Sequence, residues 1–271
     1  MLTEFMTRGL SFFELESDSL TMLTLKKTVP SFSVGNTSSC LAAGEVIADV
    51  ALEVKHVFFG YDSTDLLRGV SLEVRRGEAV AVMGRSGAGK STLLKICAGL
   101  LKPRSGAVKV LGREVGNRCF ESVRPRIAYI PQTLGIVSGA SALYNVLLGR
   151  AAICPLRFVA GLWSRRDVEE ALEALRAVGL GDKAEMVVDK LSGGERQRVA
   201  TARALFQGAS VIYADEPVSN LDINTATEVM KLLMEFRRRG AAVIAVLHDQ
   251  GLAFEFFDRV YMLSGGVLKE L

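Results

Sequence analysis

A glycine-rich loop, GRSGAGKS at residues 84–91, constrains the fold of this chain more than any other feature. It directly follows a short apolar run, AVAVM at 79–83, and it leads into an apolar stretch, TLLKICAGL at 92–100. The pattern G-x-x-x-x-G-K-[S/T] between a buried strand and a helix is typical of a phosphate-binding loop. The sequence therefore predicts an α/β fold built around a strand–loop–helix unit. A fortuitous glycine-rich turn is the alternative, and the flanking patterns argue against it.

This loop supplies the first candidate site residues. Its glycines allow the backbone to wrap around phosphates with N–H groups pointing inward, and the helix that opens at Lys90 adds the positive end of its dipole. We expect Lys90 to reach the β and γ phosphates of a nucleotide, and the hydroxyl of Ser91 to bind Mg²⁺. The candidate binding residues of the loop are Gly84, Arg85, Ser86, Gly87, Ala88, Gly89, Lys90, Ser91 and Thr92.

A second motif, VIYADE at 211–216, ends an apolar run in two acids. A carboxylate at a strand end can hold Mg²⁺ through its water shell, and a second acid beside it can polarise an attacking water. We assign the first role to Asp215 and the second to Glu216. A carboxylate after a strand is common, so this pair alone is a weak indication of a nucleotide site. It becomes a strong one because it follows a phosphate loop in the sequence.

Three groups of polar residues follow apolar runs that are typical of buried parallel strands. The loop follows 79–83, the two acids follow VIYA at 211–214, and His248 follows AVIAVL at 242–247. Because ligands of open α/β sheets bind at the carboxyl ends of the strands, we expect these groups to form one active site. Taken alone, a histidine at a strand end is more often a satisfied polar residue than a catalyst.

Residues 1–48 differ in composition from the rest of the chain. They are rich in Ser and Thr and show no sustained period, so we expect either a poorly ordered extension or a start codon placed too far upstream. One domain is predicted over 49–271. Two alternating segments, ALEVKHVFF at 51–59 and VSLEV at 70–74, predict strands on an antiparallel flank. A helix is predicted between a capping serine at 164 and a glycine at 179.

The segment LSGGE at 191–195 begins a helix that is predicted from about Gly194 to Phe206. A serine and two glycines at a helix start present backbone N–H groups that can bind an anion. On residue types alone, Ser192, Gly193 and Gly194 form either a plain helix cap or a phosphate contact, and both interpretations stay open. The helix also carries three arginines, which form either a solvated face or part of an anion grip: Arg196, Arg198 and Arg203.

Charge and hydropathy argue against two other classes of protein. Lys and Arg together number 33 against 30 Asp and Glu, and the net charge of +3 argues against a dedicated nucleic-acid binder. No run of about 18 apolar residues occurs, so we expect no segment that spans a bilayer. If the protein serves a membrane, it does so through a partner.

A series of motifs resembles the ATP-binding cassette of ABC transporters, in that family's order and spacing. They are GRSGAGKS, YIPQ at 129–132, LSGGERQR, VIYADEP, SNLD at 219–222 and the histidine at 248, and the likeness covers nearly everything from residue 52 onward. The resemblance implies an α/β P-loop fold with a RecA-like parallel sheet core, an N-terminal antiparallel β flank and an α-helical subdomain over about 133–207.

The same resemblance implies the ligands and the assembly. ATP and Mg²⁺ would be bound by a head-to-tail homodimer that holds two ATP molecules between its subunits. Each ATP would lie on Lys90 and Ser91 of one chain and be capped by Ser192, Gly193 and Gly194 of the other.

Further roles come from the resemblance residue by residue. Tyr61 would stack on adenine, with a plain turn tyrosine as the alternative. Gln132 would contact Mg²⁺ and link the site to the helical subdomain, and His248 would hydrogen-bond the γ-phosphate. Asp222 would help shape the opposite site across the dimer. Glu195 stands where many members carry Gln, a variant that leaves ATP binding in place.

The segment 143–180 is more apolar than a bare helical arm requires. It is either subdomain core or a surface that grips a permease, with Phe158 and Trp163 exposed. Its NVLLGR start at 145–150 resembles the matching insertion in the ATP-binding subunits of phosphonate importers. That resemblance implies uptake of phosphonate, phosphite or a phosphate ester.

Such an importer implies further partners. The chain would lie peripherally on the cytoplasmic face of the membrane, on integral-membrane permease subunits, and a periplasmic or extracellular solute-binding protein would act through the permease. Two alternatives stay open: the ATPase of a lipoprotein-release or cell-division system, and a regulatory ABC ATPase with no role in transport. A single cassette and a compact insertion argue against the non-transport class.

Overall fold

A computed structural model describes residues 49–61, 64–151, 163–219 and 221–271, and these residues build two β-sheets and a set of helices. The expectation for residues 1–48 and the one for Phe158 lie outside the described residues, so both stay predictions. The strands are β1 (Val50–Tyr61), β2 (Thr64–Arg75), β3 (Ala79–Met83), β4 (Ser105–Val110), β5 (Arg113–Glu114), β6 (Ile127–Ile130), β7 (Val211–Asp215), β8 (Ala242–Val246), β9 (Arg259–Ser264) and β10 (Val267–Glu270).

The helices connect these strands. The α-helices are α1 (Lys90–Cys97), α2 (Ala142–Leu147), α3 (Arg165–Ala177), α4 (Gly193–Gln207), α5 (Ile223–Arg238) and α6 (Gln250–Phe256). Short 3₁₀ turns cover Arg118–Ser122, Arg124–Arg126, Leu148–Arg150, Gly181–Lys183 and Val188–Lys190.

The central sheet has the strand order β10-β9-β3-β8-β7-β6, and all of its neighbours are parallel except β10 against β9. Strands β3, β7 and β8 are buried at every position. Continuous apolar runs take this arrangement because helices or a second sheet cover both of their faces. The predicted parallel core is confirmed. The edge strand β10 was not predicted.

The second sheet has the strand order β2-β1-β4-β5 and is antiparallel throughout. In β2, buried and exposed positions alternate from residue 70 to residue 75, as the sequence predicts for a strand with one face in solvent. In β1 the alternation is interrupted, because the register with β2 shifts between Val54 and Val57 and His56 has a φ of 45°. The predicted antiparallel flank is confirmed.

Capping residues precede two of the helices that the sequence predicts. In α3 the side chains and backbone N–H groups of Ser164 and Asp167 bond each other reciprocally, and in α4 Ser192 and Glu195 do the same. Gly208 follows α4 with a φ of 70°, a left-handed conformation that favours glycine and ends the helix. The observed ends lie within about two residues of the predicted ones.

Three apolar clusters form the core. The first lies between the antiparallel sheet, α1 and one face of the parallel sheet, and the second covers the other face of the parallel sheet with α4, α5 and α6. The buried members of the third cluster all lie between residues 142 and 206, inside the predicted helical subdomain. Trp163 packs partly buried against this third cluster, which corrects its expected exposure because an indole removes much apolar area from water there.

Helix α4 belongs to two of these clusters. Ala200 and Ala204 pack in the second cluster, against the parallel sheet, while Val199 and Phe206 pack in the third. The helix that begins with the LSGGE segment therefore lies between the central sheet and the helical subdomain.

Candidate functional site

The glycine-rich loop follows β3 and closes around a lysine side chain. The Nζ atom of Lys90 donates to the carbonyl oxygens of Gly84, at 2.8 Å, and Arg85, at 3.0 Å. Gly89 precedes α1 with a φ of 101°, and a Cβ at Gly84 would lie 2.5 Å from the carbonyl oxygen of Leu263. The chain can take this path only with glycine at these two positions.

Burial shapes the charge of this lysine. Lys90 is only 5% exposed, and desolvation lowers its pKa, while the nearby carboxylates of Glu216 and Asp215 act in the opposite direction. Around it, Arg85, Ser86 and Gly87 are exposed, and Ala88 and Thr92 are half-buried. The loop thus offers exposed backbone above a nearly buried cation.

Asp215 ends β7 beside this loop and is 4% exposed. Its Oδ1 accepts a hydrogen bond of 2.8 Å from the Ser91 hydroxyl, and its Oδ2 accepts one of 3.0 Å from the hydroxyl of Tyr129. Burial first, and then the charge of Asp215, raise the pKa of Tyr129, so this phenol stays a hydrogen-bond donor at neutral pH. The YIPQ motif itself indicates no role for Tyr129.

Glu216 is the meeting point of three motifs. Its Oε2 accepts a hydrogen bond of 2.7 Å from Nε2 of Gln132, and its Oε1 lies 2.8 Å from Nε2 of His248. Glu216 also has a φ of 52°, which is uncommon for a residue other than glycine and costs on the order of 1 kcal/mol. The structure thus brings the YIPQ glutamine, the second acid and the strand-end histidine together on one carboxylate.

The sheet order explains this convergence. Strands β3, β8, β7 and β6 are consecutive neighbours, and the loop, His248, the two acids and Gln132 follow them at their carboxyl ends. The sequence predicts that these groups meet at one edge of the sheet, and the parallel strand order brings them there.

The oxygens of this site suit a hard cation. The Ser91 hydroxyl and Oδ1 of Asp215 lie 2.8 Å apart, and oxygen ligands of this kind are what Mg²⁺ prefers. Within the described ranges, no cluster of three or more His, Cys, Asp or Glu could hold a metal by itself. The residues fit an ion that takes most of its ligands from phosphate and water.

Ser192, Gly193 and Gly194 form the first turn of α4. The Ser192 hydroxyl oxygen accepts from the N–H of Glu195 at 3.2 Å, so the helix-cap interpretation of this serine is seen directly. A Cβ at Gly194 would lie 2.6 Å from Cγ2 of Thr225 on α5, whereas one at Gly193 would meet nothing within 4 Å.

Two further candidates make contacts within their own elements. Tyr61 ends β1, is 57% exposed and packs its ring edge-on against Phe59 with centroids 5.1 Å apart. Asp222 caps α5, where its Oδ1 accepts from the N–H groups of Asn224 and Thr225 at 3.1 Å each.

Arg203, one of the three arginines in α4, makes contacts beyond its own helix that the sequence did not predict. Arg203 donates two hydrogen bonds of 2.7 Å, to the carbonyl oxygens of Leu134 and Gly135, just after Gln132. Both of these residues have positive φ, 63° and 57°. Arg203 therefore holds a left-handed turn of backbone, in place of the expected solvated face or anion grip.

Comparison with known proteins agrees with this geometry. The family model described as ABC transporter matches residues 67–219. The phosphonates import ATP-binding protein PhnC of Thiobacillus denitrificans is 42% identical over 74% of this chain and 79% of its own length. The hypophosphite import ATP-binding protein HtxD of Stutzerimonas stutzeri is 41% identical over 80% of this chain and 65% of its own length.

A solved structure gives the same answer for the fold. A dimeric ATP-binding cassette in a post-hydrolysis state, bound to ADP and Pi, superimposes with a TM-score of 0.70 at 31% identity, covering 81% of this chain and 97% of that one. The predicted fold and the predicted resemblance are both confirmed. The chain belongs to the ABC transporter family, and it is an ATP-binding subunit that hydrolyses ATP to energise transport.

Proposed function

We propose that this chain binds Mg²⁺-ATP at the carboxyl edge of its parallel sheet, hydrolyses it with Glu216 as the base, and powers an importer of phosphonates or related phosphorus oxyanions. The observation that carries the mechanism is the Glu216 carboxylate, held between Gln132 and His248 at 2.7 and 2.8 Å.

The nucleotide would bind through the phosphate loop. Residues 85–87, which are exposed, and the start of α1 would present N–H groups to the phosphates. Lys90 would exchange its two carbonyl partners for phosphate oxygens. Tyr61, exposed at the end of β1, would stack on the adenine. Ser91, Asp215 and Gln132 would hold Mg²⁺, which neutralises phosphate charge when bound.

Hydrolysis would follow from the position of Glu216. Its carboxylate takes a proton from a water whose oxygen attacks the γ-phosphorus, and the bond from that phosphorus to the β–γ bridging oxygen breaks, leaving ADP and phosphate. Lys90 stabilises the charge that develops on the phosphate oxygens. His248 orients the carboxylate and hydrogen-bonds the γ-phosphate.

A second copy of the chain would complete the site. Gly193 has no positive φ, and its side-chain position is open, so nothing within the described part of one subunit requires glycine there. A ligand that approaches the backbone closely supplies such a reason. This supports a head-to-tail homodimer in which Ser192, Gly193 and Gly194 cap the ATP of the partner and Asp222 shapes the facing site.

The proposed cargo rests on relatives named for phosphonate and hypophosphite import. No helix of the described residues has the length and apolarity that crossing a bilayer takes. Because these relatives are named for import, we place the subunit on the cytoplasmic face of the membrane, bound to permease subunits that receive solute from a periplasmic or extracellular binding protein. The names of these relatives favour import over lipoprotein release, cell division or a non-transport role.

Two measurements test this proposal. Glu216→Gln should retain ATP binding and lose nearly all turnover, while Glu255→Gln, an exposed glutamate on α6, should keep the parent rate. A Glu216→Gln protein that hydrolyses ATP at the parent rate would refute the assigned base. For the cargo, the complex with its permease and binding protein should take up labelled methylphosphonate with ATP. Efficient transport of another solute, with none of methylphosphonate or phosphite, would end the cargo proposal.

A further inference from the structure

The first turn of α4 carries a negative charge where the proposed function needs affinity for phosphate. Glu195 is the third residue of this helix, directly after the Ser192–Gly194 turn. A carboxylate in the first turn favours the helix itself, but it opposes the attraction of the helix end for a second anion. A chain with Gln at this position would not meet this conflict.

Both carboxylate oxygens of Glu195 accept a hydrogen bond. Oε2 accepts from the backbone N–H of Ser192 at 2.8 Å, and Oε1 accepts from Nζ of Lys183 at 2.5 Å. The bond from Lys183, and then the one from Ser192, lower the pKa of Glu195 to about 2. The charge is therefore present at every physiological pH, and it lies beside the residue proposed to touch phosphate.

Lys183 comes from a separate element, the 3₁₀ turn Gly181–Lys183 that follows α3. Glu195 is the main cause that raises the pKa of Lys183, with Asp182 acting in the same direction and Arg198 against it. The side chains of Lys183 and Glu195 are 35% and 16% exposed, so water screens this pair less than an ion pair on an open surface. Together the two groups carry no net charge.

We propose that Lys183 is a positioning residue for the ATP held by the partner subunit, because it cancels the charge of Glu195 and keeps the Ser192–Gly194 turn receptive to phosphate. This inference rests on the dimer of the proposed function. A salt bridge that serves only to hold α4 in place is the alternative, and the two differ in what Glu195→Gln does to a Lys183 variant.

The experiment uses the full chain in a Glu216→Gln background, which retains ATP. The variants are Lys183→Met, which keeps length and removes charge, Lys183→Arg, Glu195→Gln and the double variant Lys183→Met/Glu195→Gln. Analytical ultracentrifugation across an ATP titration measures the concentration that gives half-maximal dimer. Binding of a fluorescent ATP analogue to the monomer is measured alongside.

We expect Lys183→Met to raise the ATP concentration for half-maximal dimer by about fivefold, the size of a helix-terminus charge effect. Lys183→Arg and the double variant should return to within about twofold of the parent. Monomer affinity for the analogue should stay the same in all of them, because Lys183 bonds Glu195 beside the turn that is proposed to contact the partner's ATP.

Two results would overturn the inference alone. One is a Lys183→Met protein that dimerises like the parent. The other is a defect that Glu195→Gln does not repair and that tracks a fall in melting temperature, which indicates a structural bridge. A Glu216→Gln parent that binds ATP and stays monomeric would instead overturn the proposed dimer, and the inference with it.

Discussion

The hydroxyl of Tyr129 donates a hydrogen bond of 3.0 Å to Oδ2 of Asp215, while Ser91 bonds the other oxygen of the same carboxylate. Tyr129 lies on β6 and Asp215 on β7, and these two strands are parallel neighbours. The tyrosine therefore fixes how the carboxylate is turned toward the Ser91 hydroxyl.

Tyr129→Phe should weaken the use of Mg²⁺ without removing nucleotide binding. The hydrogen bond to a charged group is worth about 1.5–3 kcal/mol, so we expect the Mg²⁺ concentration for half-maximal ATPase activity to rise by about tenfold or more. A Mg²⁺ titration of ATPase activity measures this, with Asp215→Asn as the more severe comparison. An unchanged Mg²⁺ dependence would show that Tyr129 does not position Asp215.

Arg203→Met should loosen the segment that follows Gln132. The variant loses two hydrogen bonds to backbone carbonyls in a left-handed turn, and we expect the free energy of unfolding to fall by about 1–3 kcal/mol. Hydrogen exchange of residues 132–137 should speed up, and ATPase activity should fall. Arg166→Met is the control, since the Arg166 side chain is 87% exposed and its loss should leave the free energy of unfolding nearly unchanged. Equal effects of the two variants would contradict the prediction.

Substitutions of the two glycines in the first turn of α4 should have different effects, one on the stability of the chain and the other on the site that the dimer shares. Gly194→Ala brings a Cβ to 2.6 Å from Thr225, so it should lower the free energy of unfolding by about 1–3 kcal/mol. The Cβ of Gly193→Ala meets nothing within 4 Å, so this variant should melt like the parent. It should still lower turnover about tenfold to a hundredfold, because in the proposed dimer the added methyl would displace the partner's ATP. Thermal melts and ATPase rates check both. A fully active Gly193→Ala protein would argue against the shared site.

The free energy of unfolding at acid pH should depend on the hydrogen bond between Lys183 and Glu195. The pKa of Glu195 falls from 4.5 to about 2 on folding, so its contribution to stability is complete above about pH 4.5 and is lost as the pH falls toward 2. Lys183→Met removes the largest cause of that shift and should lose less stability over the same range. Urea unfolding of both proteins at steps from pH 5 to about pH 3 measures the difference. Parallel pH curves would contradict it.

The parallel core and the grouping of polar residues at one edge of the sheet could be predicted because both rest on local patterns. Short apolar runs at 79–83, 211–214 and 242–247 are typical of strands that are buried on both faces of a parallel sheet. In such a sheet the polar residues that follow the strands lie at one edge. The wrapping of the loop around Lys90 follows from its glycines.

The contacts that escaped prediction depend on pairs of distant elements. Nothing in YIPQ indicates that Tyr129 points at a carboxylate 86 residues away, and nothing in α4 indicates that Arg203 reaches backbone 68 and 69 residues earlier. Likewise, the sequence does not indicate that Lys183 bonds Glu195, and only the folded structure shows this contact. Side-chain direction across element boundaries is set by tertiary packing, which residue periodicity does not encode.

Helix α4 has apolar side chains buried on two sides, with Ala200 and Ala204 against the sheet and Val199 and Phe206 against the helical subdomain. Rotation of the helix about its long axis would move one row of buried side chains out of its packing contacts. This costs roughly 1 kcal/mol for each methylene that becomes exposed to water. Sliding or tilting with its neighbours leaves both rows in place. A displacement of the exposed N-terminal end of α4 therefore translates the whole helix, and its C-terminal end at Phe206 moves with it.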